Sequence, residues 1–233
     1  MKIKAIFLDV DGTLVSFDTH RVPQSAIEAL RHVHKLGIKV IIATGRPFTN
    51  LHEIEEVPYE AVIALNGANC VLRDGTSISQ KLIDKEDFYK VQELAKLVDH
   101  PVPPVVDIEE EFAKGECCQL CIYCDEETEK KVMAQLPGLT ISRWNPFFAD
   151  VNVAGINKAV GINELASYYG FDISQTLAFG DGGNDIAMLR AVGTGIAMGN
   201  ASDIVKAAAD YVTGTVDENG IRDALIHWGV MQE

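Results

Sequence analysis

Ile3-Lys4-Ala5-Ile6-Phe7-Leu8-Asp9-Val10-Asp11-Gly12-Thr13-Leu14 begins as a β-rich apolar run and ends on two carboxylates and a glycine. Such a run, with one charge in it, reads as a strand buried on both faces, the kind found inside a parallel sheet. In an open α/β sheet, ligands gather at the carboxyl ends of the strands. Alternation along an extended chain sends the side chains of Asp9 and Asp11 the same way, toward one site.

Working outward, the flanking sequence repeats the pattern of strand followed by amphipathic helix. Pro23 opens a helix whose Ala26, Ile27, Leu30 and Val33 share a face, and Gly37 ends it. Strand Ile38–Ala43, a short helix after Pro47 and strand Ala61–Leu65 follow. Arg73-Asp74-Gly75 then turns a hairpin between 69–72 and 76–80. A second such stretch runs over helix Lys158–Tyr169, strand Thr176–Phe179, helix Asn184–Ala191, strand Thr194–Ala197, helix Ser202–Ala208, strand Tyr211–Thr213 and a last helix near Ile221–Trp228. Residues 82–150 break the rhythm, with a helix over Asp84–Val98, a Pro-rich 100–104, an acidic 109–111, strand Cys117–Cys124 and helix Glu126–Leu136. The expected fold is α/β: a doubly wound, mainly parallel Rossmann-like core of 1–81 and 151–233, with an α+β cap of 82–150 inserted in it.

The chain has 233 residues, 47% hydrophobic and 23% charged, and a formal net charge of −14. That balance argues against nucleic acid and against an anionic membrane surface, both of which need clustered Lys and Arg. No apolar run approaches the ~20 residues that span a bilayer, and the first residues lack the apolar core of a secretory leader. Five cysteines, an odd number, fit reduced thiols and a cytoplasmic location. A strand over Cys117–Cys124 would point Cys117 and Cys121 one way and Cys118 and Cys124 the other, which opposes a shared metal.

Two carboxylates held together need a cation, a shared proton or different roles. In phosphoryl transfer one can attack phosphorus while the other protonates the leaving oxygen and later deprotonates water. Asp-x-Asp-Gly alone is also a plain turn leaving a strand. Three further elements favour the chemical reading. Thr44-Gly45-Arg46 ends the second strand and offers a hydroxyl and backbone N–H groups to a phosphate. Lys158 opens a helix after the insert. Gly180-Asp181-Gly182-Gly183-Asn184-Asp185 puts two more carboxylates at a strand end. Carboxylates, phosphate oxygens and water are the ligands Mg²⁺ takes.

With these four elements in order, the sequence resembles the haloacid dehalogenase superfamily, and within it the Cof-type sugar-phosphatase-like hydrolases with a type IIB-like cap. The resemblance covers nearly the whole chain. It implies Asp9 as nucleophile and metal ligand, and Asp11 as acid/base that also offers its backbone carbonyl to the metal. Thr44 and Lys158 would bind the transferring phosphoryl group, with Gly45 and Arg46 in the same loop. Asp181 and Asp185 would complete the Mg²⁺ shell, and Asn184 would contact phosphate or Lys158. The implied activity is hydrolysis of a small phosphorylated metabolite, a hexose or other sugar phosphate, through a phosphoaspartate. Ala159 departs from the glycine frequent in relatives after the lysine.

Other readings stay open beside it: a phosphosugar mutase, a phospho-accepting signalling domain, or a silent phosphosugar-binding protein. His20-Arg21 is either a substrate contact or a solvated loop. Arg46 contacts phosphate or sugar, or anchors its loop through an ion pair. Asn66-Gly67-Ala68 reads first as turn chemistry. Arg143-Trp144-Asn145 can hold a sugar or sit buried at a domain junction.

Overall fold

A computed structural model describes residues 2–95, 117–145 and 147–232, without the side chains of residues 92, 95, 144 and 145. The expected Pro-rich 100–104 and acidic 109–111 lie outside these residues. The chain divides into two compact units, 1–79 with 157–233, and 80–156.

The first unit is built on an eight-stranded sheet in the order β11-β10-β9-β1-β2-β3-β4-β5. Its strands are β1 (Ala5–Leu8), β2 (Lys39–Ala43), β3 (Ala61–Ala64), β4 (Asn69–Leu72), β5 (Ser77–Gln80), β9 (Thr176–Gly180), β10 (Thr194–Ala197) and β11 (Tyr211–Val212). Strand β1 lies in the middle, parallel to β2 on one side and β9 on the other. Pairing stays parallel from β11 to β3 and reverses at β4. This is the mainly parallel α/β core that the sequence predicts.

Period-two alternation divides the sheet's side chains between two cores. Ile6, Leu8, Val40, Ile42, Val62, Leu177 and Phe179 pack with Ile27, Leu30 and Val33 of α1 (Gln24–Lys35), and with Ile221, Ala224 and Leu225 of a C-terminal helix over Gly220–His227. Phe7, Ile41, Ile63 and Ala178 point the other way, onto Ile162 and Leu165 of the helix Lys158–Tyr169 and onto Met188 and Leu189. With both faces covered, the strands need apolar residues at every position, which is why they read as unbroken apolar runs.

In the second unit, α2 (Lys85–Ala95) and α3 (Glu126–Met133) accompany a three-stranded antiparallel sheet. Its order is β6-β8-β7, from β6 (Leu120–Ile122), β7 (Leu139–Asn145) and β8 (Phe148–Val153). Phe88, Val91, Val132, Leu136, Leu139 and Val151 form its own core. Asp125 caps α3, its side chain accepting from the Thr128 amide.

Several local expectations need correction. The short helix after Pro47 is a 3-10 turn over His52–Ile54. The strand Cys117–Cys124 is confined to Leu120–Ile122, so alternation governs only Cys121 among the cysteines. The boundaries of the units fall at 79/80 and 156/157 rather than 81/82 and 150/151, because β8 continues to Val153 in its pairing with β7. No helix among the described residues is long and apolar enough to cross a membrane.

Candidate active site

The first unit's parallel strands deliver the candidate residues to one end of the sheet. Asp9 follows β1 directly, its amide donating to the Phe179 carbonyl of β9 at 3.1 Å. Thr44 follows β2 and is buried. Asp181 follows β9, and Lys158 is the first residue of α4 (Lys158–Tyr169). The Asn157 side chain caps that helix by accepting from the amides of Ala159 and Val160, which fixes where Lys158 starts.

Lys158 is fully buried, and its Nζ donates to Asp9 Oδ1 at 2.6 Å and to Asp185 Oδ1 at 2.5 Å. The other oxygen of Asp185 accepts from the amides of Asp181 and Gly182 at 3.0 and 2.9 Å. Asp181 Oδ1 accepts from Thr13 Oγ1 at 2.8 Å. Asn200 bridges the two carboxylate loops, its Nδ2 donating to Gly12 O at 2.8 Å and to Asp181 Oδ2 at 3.3 Å. Gly12 has φ of 81°, and a Cβ there would lie 2.3 Å from Asp181 Oδ2. Only glycine lets the first loop pass that close to the fourth.

One carboxylate oxygen from each of Asp9, Asp181 and Asp185 falls within a 4.8 Å group. Lys158 bonds two of these three acids. Burial pushes the Asp9 carboxyl well above its usual range, and Asp185 pushes it further, against the pull of Lys158. Burial likewise raises Asp181 to about 6, opposed by the Thr13 hydrogen bond and supported by Asp185. Burial works against the Lys158 charge, yet Asp185 and Asp9 outweigh it and hold the ammonium above the ordinary lysine value. An all-oxygen, net negative pocket of this kind fits a hard divalent cation. Asp9 and Asp181 would hold the ion. Asp185, whose oxygens accept from Lys158 and from the amides of Asp181 and Gly182, would complete or support that shell.

Asp11 and Arg46 stand apart from that cluster. The Arg46 guanidinium donates through Nε to Asp11 Oδ2 at 2.9 Å and through Nη2 to Asp11 Oδ1 at 2.6 Å, while its Nη1 reaches Glu53 Oε2 at 2.8 Å. The Arg46 amide donates to Thr44 Oγ1 at 3.1 Å across half-buried Gly45. Asn184 does not reach Lys158, the fourth-loop residue that does being Asp185. The Nδ2 of Asn184 donates instead to Asn66 Oδ1 at 3.0 Å. His20 and Arg21 are exposed. In the second unit, Arg143 donates to Glu129 Oε2 at 2.7 Å and to the Cys124 carbonyl at 2.9 Å, tying β7 to α3. The side chains of Trp144 and Asn145 lie outside the described residues.

Sequence reasoning missed Asn200 and Glu53. Gly199-Asn200 follows β10, and its position at a strand end was the available signal for Asn200. Glu53 carries no such mark.

A family model for haloacid dehalogenase-like hydrolases matches residues 6–103 and 98–225. Among solved structures, a phosphatase of the haloalkanoate (HAD) enzyme superfamily, BT1666 from Bacteroides thetaiotaomicron, superposes with a TM-score of 0.91 at 53% identity, covering 99% of this chain and 96% of that one. The HAD subclass IIB sugar phosphatase BT4131 follows at TM-score 0.90 and 38% identity, covering 98% and 100%. The 5-amino-6-(5-phospho-D-ribitylamino)uracil phosphatase YcsE of Bacillus subtilis (strain 168) is 30% identical over 97% of this chain and 96% of its own length.

Proposed function

Since the chain belongs to the haloacid dehalogenase-like hydrolases and is a phosphatase of that family, we propose that it hydrolyses sugar phosphates through a phosphorylated Asp9, with Mg²⁺ as its metal. The observation that carries this reading is the buried Lys158 bound at once to Asp9 and Asp185 beside a third carboxylate. A lysine so placed orients one oxygen of Asp9 and leaves Oδ2 to attack phosphorus. Its charge also faces the phosphoryl oxygens as negative charge builds on them.

In the first half-reaction a bond forms from Asp9 Oδ2 to phosphorus and the ester P–O bond breaks. The proton of the Asp11 carboxyl passes to the departing alkoxide. In the second, Asp11 takes a proton from water as that water attacks the acyl phosphate, releasing inorganic phosphate and restoring Asp9. Arg46 keeps Asp11 in position through its bidentate pairing, and one of the two hydrogen bonds gives way when that carboxyl carries the proton. Thr44 and the Asn184 amide contact the transferring group, and Thr13 and Asn200 hold Asp181 in place. Mg²⁺, when bound by Asp9 and Asp181, neutralises the phosphate and the nucleophile against each other.

Sugar phosphates are favoured over other monoesters by two of the relatives, one a sugar phosphatase and the other named for a phosphorylated ribityl compound. The inserted unit 80–156 contains none of the residues assigned to the phosphate. Five free cysteines suit a reducing compartment, and the reading sets the reaction in the cytoplasm.

The test is a phosphate-release assay across hexose, pentose and polyol phosphates and an aryl phosphate, run with Mg²⁺ and with chelator. Metal-dependent release from one or more sugar or polyol phosphates is expected. Release that survives chelation, or turnover of the aryl phosphate alone, would count against it.

A further inference from the structure

The turn after β3 is strained where a simple turn has no need to be. Leu65, Asn66 and Gly67 have φ of 53°, 55° and 101° in succession. A left-handed leucine is an unfavourable conformation, kept only when the surroundings impose it. Strain of this kind clusters at functional sites, and this turn leaves the sheet at the same end as Asp9, Thr44 and Asp181.

The turn touches three of the loops that carry the site. The Leu65 amide donates to the Arg46 carbonyl at 3.2 Å, and the Asn66 amide to the Thr44 carbonyl at 3.0 Å, so the second loop is stitched to it. A Cβ on Gly67 would fall 2.2 Å from the Asn157 carbonyl oxygen, so this turn lies directly against the peptide that leads into Lys158. Asn66 is 4% exposed, and its side-chain Oδ1 accepts from Asn184, 118 residues further along the chain. A residue chosen only to allow positive φ would not have to be buried, nor to aim its amide at the fourth loop.

We infer that Asn66 is a positioning residue for the phosphatase reaction: its buried side-chain carbonyl fixes the amide of Asn184 in the orientation in which Asn184 meets the transferring phosphoryl group. An unanchored amide can rotate about its last side-chain torsion, which has broad minima. With one N–H of Asn184 bound to Asn66, the rest of its amide is held in a single direction before substrate arrives. Preorganisation of this kind lowers the barrier without adding a contact to substrate. The inference rests on the role proposed above for Asn184.

Asn66→Gly and Asn66→Asp separate backbone from side chain. Glycine keeps the left-handed turn and removes the amide, whereas aspartate keeps an acceptor for Asn184. Turnover of an aryl phosphate and of the best sugar phosphate is measured for each, alone and combined with Asn184→Ala, with thermal melting as a check on folding. Asn66→Gly is expected to lower kcat roughly tenfold or more with KM little changed, an effect the size of one oriented hydrogen bond. Asn66→Asp should recover part of the loss. In the Asn184→Ala background the Asn66→Gly effect should nearly vanish, since the two act through one bond. A well-folded Asn66→Gly enzyme with wild-type kcat, beside an impaired Asn184→Ala, would overturn this inference alone. So would a loss that is undiminished in the Asn184→Ala background. Wild-type turnover by Asn184→Ala would overturn both it and the proposed role of Asn184.

Discussion

Arg46 holds Asp11 through two parallel hydrogen bonds, Nε to Oδ2 at 2.9 Å and Nη2 to Oδ1 at 2.6 Å. A planar fork meeting a carboxylate in this way fixes both its position and the plane of its oxygens. Glu53 holds the fork in turn through Nη1. Arg46→Lys keeps the charge and loses the fork. It should therefore lower kcat on alkyl phosphates by roughly ten- to a hundredfold, while an aryl phosphate, which leaves with little proton transfer, loses far less. Steady-state rates across leaving groups of graded pKa check this, and equal losses for all of them would show that Arg46 serves phosphate binding instead.

Asp9, the proposed nucleophile, sits where its ionised form is disfavoured. Burial and Asp185 both disfavour the ionised form of Asp9. Asp9→Asn should reduce turnover to below roughly a thousandth of wild type, and the metal-free variant should melt no lower than the metal-free native protein. Release assays and thermal melting together test the pair of effects. A markedly lower melting temperature would mean that the Lys158–Asp9 bond outweighs the cost of burying the charge.

Stability of the metal-free protein should depend on pH through Asp181. Its folded-state value of about 6 lies above the ordinary 3.8, so the native state binds this proton more tightly than the unfolded chain does. The stability it contributes is fully present below about 4 and is lost as pH rises through about 6. Metal-free protein should accordingly melt lower at pH 7 than at pH 5, and Mg²⁺ should raise the melting temperature more at pH 7. Asp181→Asn should flatten both trends. An unchanged pH profile in that variant would assign the dependence to other groups.

Arg143 was a candidate sugar contact, but its guanidinium is committed to Glu129 and the Cys124 carbonyl, with side chains 14% and 16% exposed across the ion pair. Arg143→Ala should destabilise the inserted unit by about 2 kcal/mol, the range for hydrogen bonds to charged groups. The ranking among sugar phosphates should hardly change. Denaturant melts set beside a substrate panel measure both, and a reordered panel at native stability would return Arg143 to the substrate.

What the sequence made legible is what local patterning controls. The limits of α4 follow from Asn157 as its cap and Gly170 beyond Tyr169, both readable within a few residues, and the helix ends where they say. The central strands were equally plain, because burial on both faces demands apolar runs. The rest depends on partners far away in the chain. Nothing near Asn66 announces Asn184, and nothing in the Gly199-Asn200 pair announces Gly12. Arg46 had two readings from sequence, and the ion pair that bears on them joins it to Asp11, 35 residues earlier in the chain. In the second unit the alternating Cys117–Cys124 run overstated its strand, since β6 pairs with β8 over three residues only.

The order of strands sets a timetable for synthesis. Strand β1 is made first, yet it occupies the middle of the sheet, between β2 and the late strand β9. Until the ribosome has released Thr176–Gly180, β1 has one flank unpaired, and an exposed apolar edge of that kind invites association with other chains. The unit 80–156, which has a core of its own, emerges in the interval. Asp9 thus leaves the ribosome well before Lys158, its partner 149 residues further along the chain. A nascent chain stopped before β9 would carry Asp9 without Asp181 or Asp185, and a hydrophobic strand open to aggregation.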